Sequence, residues 1–181
     1  MGVQTLPLYE KRIISEESKT FMERKIVTVG DEALRKVCKP MQKFDLRLWL
    51  LLRDMADTMY KADGVGLAAP QVGILRRVVV IDVGDGLVEL VNPEIIASEG
   101  EQGGSEGCLS IPGKRGYVVR PERVTVKAQD RKGKPFTVEA EGLYARALCH
   151  EIDHLEGRLY TDIMDHEITD DDQEQAEGEQ D

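Results

Sequence analysis

The stretch His150-Glu151-Ile152-Asp153-His154 constrains this chain more than any other. A helix brings histidines four residues apart onto one face, where they can offer two imidazole nitrogens to one cation while Glu151 lies beside it. Two protein ligands leave a divalent ion short, because a hydrolytic site wants three and keeps one position for water. The fold must therefore carry a helix through this stretch and bring a third donor to it from elsewhere.

The long zinc-protease pattern H-E-x-x-H-x-x-G-x-x-H does not supply that donor: Gly157 is present, but Tyr160 stands where the third histidine belongs. The remaining donors are a cysteine, His166 or a downstream carboxylate. Cys38 lies among charged residues ahead of Pro40, and Cys149 is about 100° around the helix from its neighbour His150. Cys108 is placed differently, in Gly103-Gly104-Ser105-Glu106-Gly107-Cys108-Leu109-Ser110, where flanking glycines let the backbone pass close to a bound group. A thiolate with two histidines makes a stable, partly neutralised site for a divalent metal. His166 sits in an acidic stretch and reads as exposed rather than as a ligand. Asp153 reads either as an acceptor for a ligand imidazole or as a contact to a neighbouring loop.

A chain of 181 residues is long enough for one domain with a real core. A formal net charge of -10 argues against a sequence-specific or general nucleic-acid binder, which needs basic surface against phosphates. Three cysteines, one of them committed to metal, suit a reducing compartment. No apolar run approaches the about 20 residues of a membrane span, and the start lacks secretory, transit and myristoylation signals. The expected location is cytoplasmic.

Asp31 can cap a helix to about residue 37, closed by Lys39-Pro40. Asp45 can cap a longer one in which Leu48, Leu52, Met55 and Met59 recur at helical spacing, with Gly64 as its stop. Residues 64–73 read either as a tight connection or as part of a site. Residues 77–83 and 87–96 read as strands joined through Gly84-Asp85-Gly86, with Pro93 marking an edge or a strand end. Residues 99–107 read as a glycine-rich loop that delivers Cys108, and 123–129 with 135–140 as a hairpin. Strands ahead of one central helix, without regular βαβ alternation, give an α+β fold. On that helix Leu143, Arg146, Ala147, His150, Glu151 and His154 share one face, while Leu148, Ile152 and Leu155 form a buried stripe. Arg146 reads either as exposed or as a stem flooring a pocket.

Gly64-Val65-Gly66-Leu67-Ala68-Ala69-Pro70-Gln71, then Glu106-Gly107-Cys108-Leu109-Ser110, then His150-Glu151-Ile152-Asp153-His154 resemble the three motifs of peptide deformylases, in that order. The resemblance covers residues 25–165, as a catalytic domain between an N-terminal extension (1–24) and an acidic, mobile tail (166–181). It implies antiparallel sheets surrounding a central helix that carries the metal motif. The implied activity is metal-dependent hydrolysis of the N-formyl group from N-formylmethionyl nascent peptides, releasing formate. Cys108, His150 and His154 are the implied ligands of one divalent ion, Fe(II) first, with Zn(II), Ni(II) or Co(II) able to use the same donors. Glu151 is the implied general base and then acid, and the Gln71 side chain and the Leu109 backbone N–H are the implied oxyanion donors. Gly66 pairs with the peptide through its backbone. Arg115 lies on the substrate side, and Val65, Leu143, Arg146 and Ala147 shape a pocket for the methionine side chain. Many bacterial members continue into a C-terminal helix, basic in some, that meets the ribosome. The acidic end here implies that any transient ribosome contact is made another way. Cys149 stands where glutamine is usual and adds an oxidisable thiol near the metal, and Tyr144 follows Leu143. Two other readings remain, a metalloendopeptidase and a non-catalytic metal-binding interaction module. Cys108 speaks against the first and Glu151 against the second.

Overall fold

The computed structural model describes residues 23–169. Helix α1 (Leu46–Lys61) starts as its sequence predicts, with the Asp45 carboxylate accepting from the N–H groups of Arg47 and Leu48. These are two of the donors that a helix start leaves orphaned. Asp63, at φ 52, turns the chain out of the helix one residue before Gly64. The helix expected from Asp31 is instead a four-residue 3-10 turn, Glu32–Arg35, beyond which Lys36 is already extended.

The chain then forms β1 (Gly66–Ala68), a 3-10 turn (Ala69–Val72), β2 (Val78–Ile81) and β3 (Val88–Glu99), followed by β4 (Gln102–Cys108) and β5 (Ile111–Arg120). The hairpin β6 (Arg123–Gln129) and β7 (Pro135–Glu141) leads into helix α2 (Gly142–Leu155), and β8 (His166–Ile168) closes the described chain. Five strands make one antiparallel sheet in the order β1-β2-β3-β6-β7, and β4-β5-β8 make a second. This is the α+β arrangement expected, with the metal-motif helix between the two sheets.

The all-apolar run Val78–Ile81 reflects burial on both faces of its sheet. Val79 and Ile81 pack with Ala145, Leu148, Ile152 and Leu155 of α2, while Val78 and Val80 pack with Leu48, Leu52, Met55 and Met59 of α1. Each such side chain contributes about 1.5–3 kcal/mol by leaving water. The second sheet has its own small core of Leu34, Ile111, Val118, Leu159 and Tyr160.

Four expectations are corrected here. Pro93 sits within β3, a strand paired on both sides, and is accommodated where the β3–β6 register slips between Val91 and Glu94. Residues 99–107 are not a loop but largely strand β4, paired along its length with β5. Its glycines answer to packing: a Cβ at Gly103 would lie 1.8 Å from the Tyr117 hydroxyl, and one at Gly104 would lie 3.0 Å from Arg146 Nη2. Residues 166–168, assigned to the tail, are strand β8 and pair with β5. Glu23 and Arg24, assigned to the extension, bind α1 through Lys61, Thr58 and Asp54. Residues 1–22 and 170–181 lie outside the described residues.

Candidate metal centre

Helix α2 presents His150 and His154 one turn apart, their ring centroids 5.0 Å from each other. Strand β4 ends at Cys108, where the β4–β5 register slips and Leu109-Ser110 turn the chain back. The Cys108 Sγ stands 3.3 Å from His154 Nε2. One ligand atom from each of Cys108, His150 and His154 lies within 4.8 Å of the other two. A tetrahedral ion with bonds of about 2.0–2.3 Å holds its ligands roughly 3.3–3.8 Å apart, so the cluster needs little contraction. His150 Nδ1 is 2.9 Å from Glu106 Oε2, which leaves its Nε2 for the centre.

The two ligand imidazoles are shifted in opposite directions. Burial works against a charge on His150, but hydrogen bonds to Cys108 and Glu106 outweigh it and hold the ring's pKa up at about 10. His154 moves the other way, pushed well below the usual histidine range by burial and then by the charges of His150 and Arg120. Burial also pushes Glu151 up to about 7, an increase that His150 only partly offsets. Among the described residues, Glu151 Oε2 is one of three buried side-chain polar atoms without a hydrogen-bond partner, and His154 Nδ1 is another. The donor set and the orphaned carboxylate oxygen beside it fit a divalent metal with a water.

Gly66 allows that carboxylate to be where it is: a Cβ there would meet Glu151 Oε1 at 2.4 Å. Gln71 is oriented by its neighbours. Its Oε1 accepts from the Ala68 N–H at 2.8 Å, so its Nε2 must face Ser110 Oγ at 3.2 Å and Cys108 Sγ at 3.4 Å. A pocket of about 720 Å³ opens over the cluster, and every residue expected at the site lines it except His154. Val65, 47% exposed, and Leu143, 59% exposed, stand at its mouth. Arg115 crosses toward β4 and donates to Ser105 Oγ at 2.7 Å. Ile168 of β8 also lines the pocket, a contribution hidden by reading residue 166 onward as tail.

Arg146 is not exposed. It is buried, with Nη1 donating to Glu106 Oε1 and the Val118 carbonyl and Nη2 to the Gln102 carbonyl, while it also lines the pocket. Asp153 has no hydrogen bond to a ligand imidazole among the described residues: it accepts from Arg120 of β5 at 2.5 Å and from Arg158, just beyond α2, at 3.1 Å. Cys149 is buried and pushed up to about 11, chiefly by desolvation, which makes it inert rather than readily oxidised. His166 is exposed and stacks on Tyr117, away from the cluster.

Sequence reasoning missed Glu106 and Arg120. Burial raises the Glu106 carboxyl, yet hydrogen bonds from His150 and Arg120 outweigh it and hold it at about 2. The available signal was period two: in a strand, Glu106 and Cys108 share a face. It went unread because their segment resembled a linker.

Comparison with known proteins agrees with this geometry. The sequence profile described as Polypeptide deformylase matches residues 23–169. A peptide deformylase of Caldicellulosiruptor bescii is 63% identical over 139 residues, covering 77% of this chain and 84% of that protein. One from Lachnoclostridium phytofermentans is 55% identical over 161 residues, covering 86% of this chain and 99% of that protein. The crystal structure of a peptide deformylase from Legionella pneumophila superposes with a TM-score of 0.77 at 49% identity, covering 87% of this chain and 92% of the other. The chain thus belongs to the polypeptide deformylase family, metal-dependent hydrolases that remove the N-formyl group from nascent peptides.

Proposed function

We propose that Cys108, His150 and His154 hold one divalent cation and that Glu151 moves the protons of formyl-group hydrolysis at the N-terminal methionine of nascent peptides. The observation that carries this reading is Glu151 Oε2, buried without a partner beside three converging ligand atoms. When bound, the cation supplies an acidified water and a Lewis acid for the formyl oxygen. A thiolate among the ligands neutralises more charge than a third imidazole does, so Glu151 has more of the proton transfer to do. Glu151 accepts the water proton as attack on the formyl carbon proceeds, then delivers it to the departing amine.

Gln71 Nε2 and the Leu109 backbone N–H donate to the oxygen that becomes negative, fixed dipoles that need no rearrangement during the reaction. The preset Gln71 orientation supports this role. The Gly66 backbone pairs with the peptide, and Arg115 lies on the substrate side. Val65, Leu143, Ala147 and the buried Arg146 shape the methionine pocket. Fe(II) is the proposed ion, and Zn(II), Ni(II) and Co(II) suit the same mixed thiolate and imidazole set. We place the activity in the cytoplasm, with any ribosome contact transient and independent of a basic C-terminal helix. No helix among the described residues is long and apolar enough to cross a membrane.

The test is purification without oxygen, metal analysis, and formate or acetate release from formyl-Met and acetyl-Met peptides. Release from the formylated peptide alone is expected. Equal hydrolysis of both, or cleavage of internal peptide bonds, would replace the deformylase reading with a broader amidase or an endopeptidase.

A further inference from the structure

We propose that Glu106 is a positioning residue shared by the metal centre and the side-chain pocket, one carboxylate fixing both the His150 ring and the Arg146 guanidinium. The assignment of the pocket to a methionine side chain rests on the function proposed above. The geometry does not.

Glu106 is 4% exposed, and both of its oxygens are fully engaged. Oε1 accepts from Arg120 Nε and Arg146 Nη1, each at 2.9 Å. Oε2 accepts from Arg120 Nη2 at 3.0 Å and stands 2.9 Å from His150 Nδ1. A carboxylate at Nδ1 places the proton there and leaves the Nε2 lone pair for a cation. Because Glu106 and Cys108 share a face of β4, one strand delivers both a ligand and the group that orients a second ligand.

Arg146 precedes His150 by about one turn of α2 and reaches the same carboxylate. Its remaining contacts are backbone carbonyls of Val118, Gln102 and Gly104, and the missing side chain at Gly104 makes its space. The pocket lining and the ligand imidazole are therefore joined through a single side chain. Arg120 also binds Asp153, which bonds to neither ligand imidazole, and so provides an internal control.

The experiment loads the full chain with Co(II), whose visible absorption reports coordination geometry, and measures cobalt affinity and melting temperature. Glu106→Gln should weaken cobalt binding about 10–100-fold and change the absorption bands. Arg146→Met, similar in length and uncharged, should shift both readings in the same direction by less, although Arg146 bonds to no ligand side chain. Adding Arg146→Met to Glu106→Gln should change cobalt affinity no further. Asp153→Asn should lower the melting temperature and leave both cobalt readings as in the unaltered protein. If Glu106→Gln does not fold, Glu106→Asp, which keeps the charge and loses reach, takes its place with the same expected direction. The proposal is overturned if Asp153→Asn moves cobalt affinity as far as the Glu106 variant, or if Arg146→Met leaves the bands and the affinity untouched. Failure of the unaltered enzyme to release formate would remove the deformylase reading while leaving these cobalt readings intact.

Discussion

Helix α1 keeps one side in water, with Leu46 71% exposed, while Leu48, Leu52, Met55 and Met59 on its other side are buried. Helix α2 is enclosed from Ala145 through Leu155, and that span includes Arg146, His150, Glu151, Asp153 and His154. The first helix carries its own instructions: a local cap and an apolar stripe at helical spacing. The second cannot stand on its own residues, because burying ions costs several kcal/mol each unless partners compensate. Those partners, Glu106 and Arg120, arrive from β4 and β5. A surface helix is thus specified locally and a catalytic helix by its surroundings, so substitutions in the two should fail in different measurements.

The largest effect should come from Glu151→Gln, which removes the proposed proton carrier: kcat should fall by about 10² to 10⁴ with metal content and melting temperature retained. Activity within about tenfold of the unaltered enzyme would end the general-base role. Next is Arg120→Met, which leaves Glu106 and Asp153 short of a buried cation and should cost about 3–5 kcal/mol in denaturant unfolding. A cost near zero would show that α2 needs no such compensation and would dissolve the contrast between the helices. Gly66→Ala should lower kcat about 100-fold and cost about 1–3 kcal/mol of stability, since its methyl group would occupy the space of the buried Glu151 carboxylate. Smallest is Asp45→Ala in α1, which should cost about 1 kcal/mol and lower the melting temperature by a few degrees with kcat unaltered. A loss of activity there would mean that α1 is coupled to the site after all.

The same contrast explains what could be read from the sequence. Leu48, Leu52, Met55 and Met59 announced α1, and Asp45 its start, because helical spacing and capping are properties of adjacent residues. The β6–β7 hairpin was legible through alternation around Asp130-Arg131-Lys132-Gly133. Cys108 and the two histidines could be brought together by donor chemistry before any geometry was known. The Glu106–His150 contact, spanning 44 positions, has no local signature. Gly103 and Gly104 suggested flexibility, whereas they make space for Tyr117 and Arg146 in a strand. Pro112, Gly113 and Gly116 likewise masked β5, whose pairing with β4 and β8 overrides its weak strand propensity.

Metal content of the anaerobically purified chain, set beside that of Cys108→Ala, tests the central claim most directly. The account predicts about one divalent ion per chain for the unaltered protein and close to none for the variant, because two imidazoles alone hold such an ion poorly. An unchanged stoichiometry in Cys108→Ala would place the third ligand elsewhere and contradict the site described above.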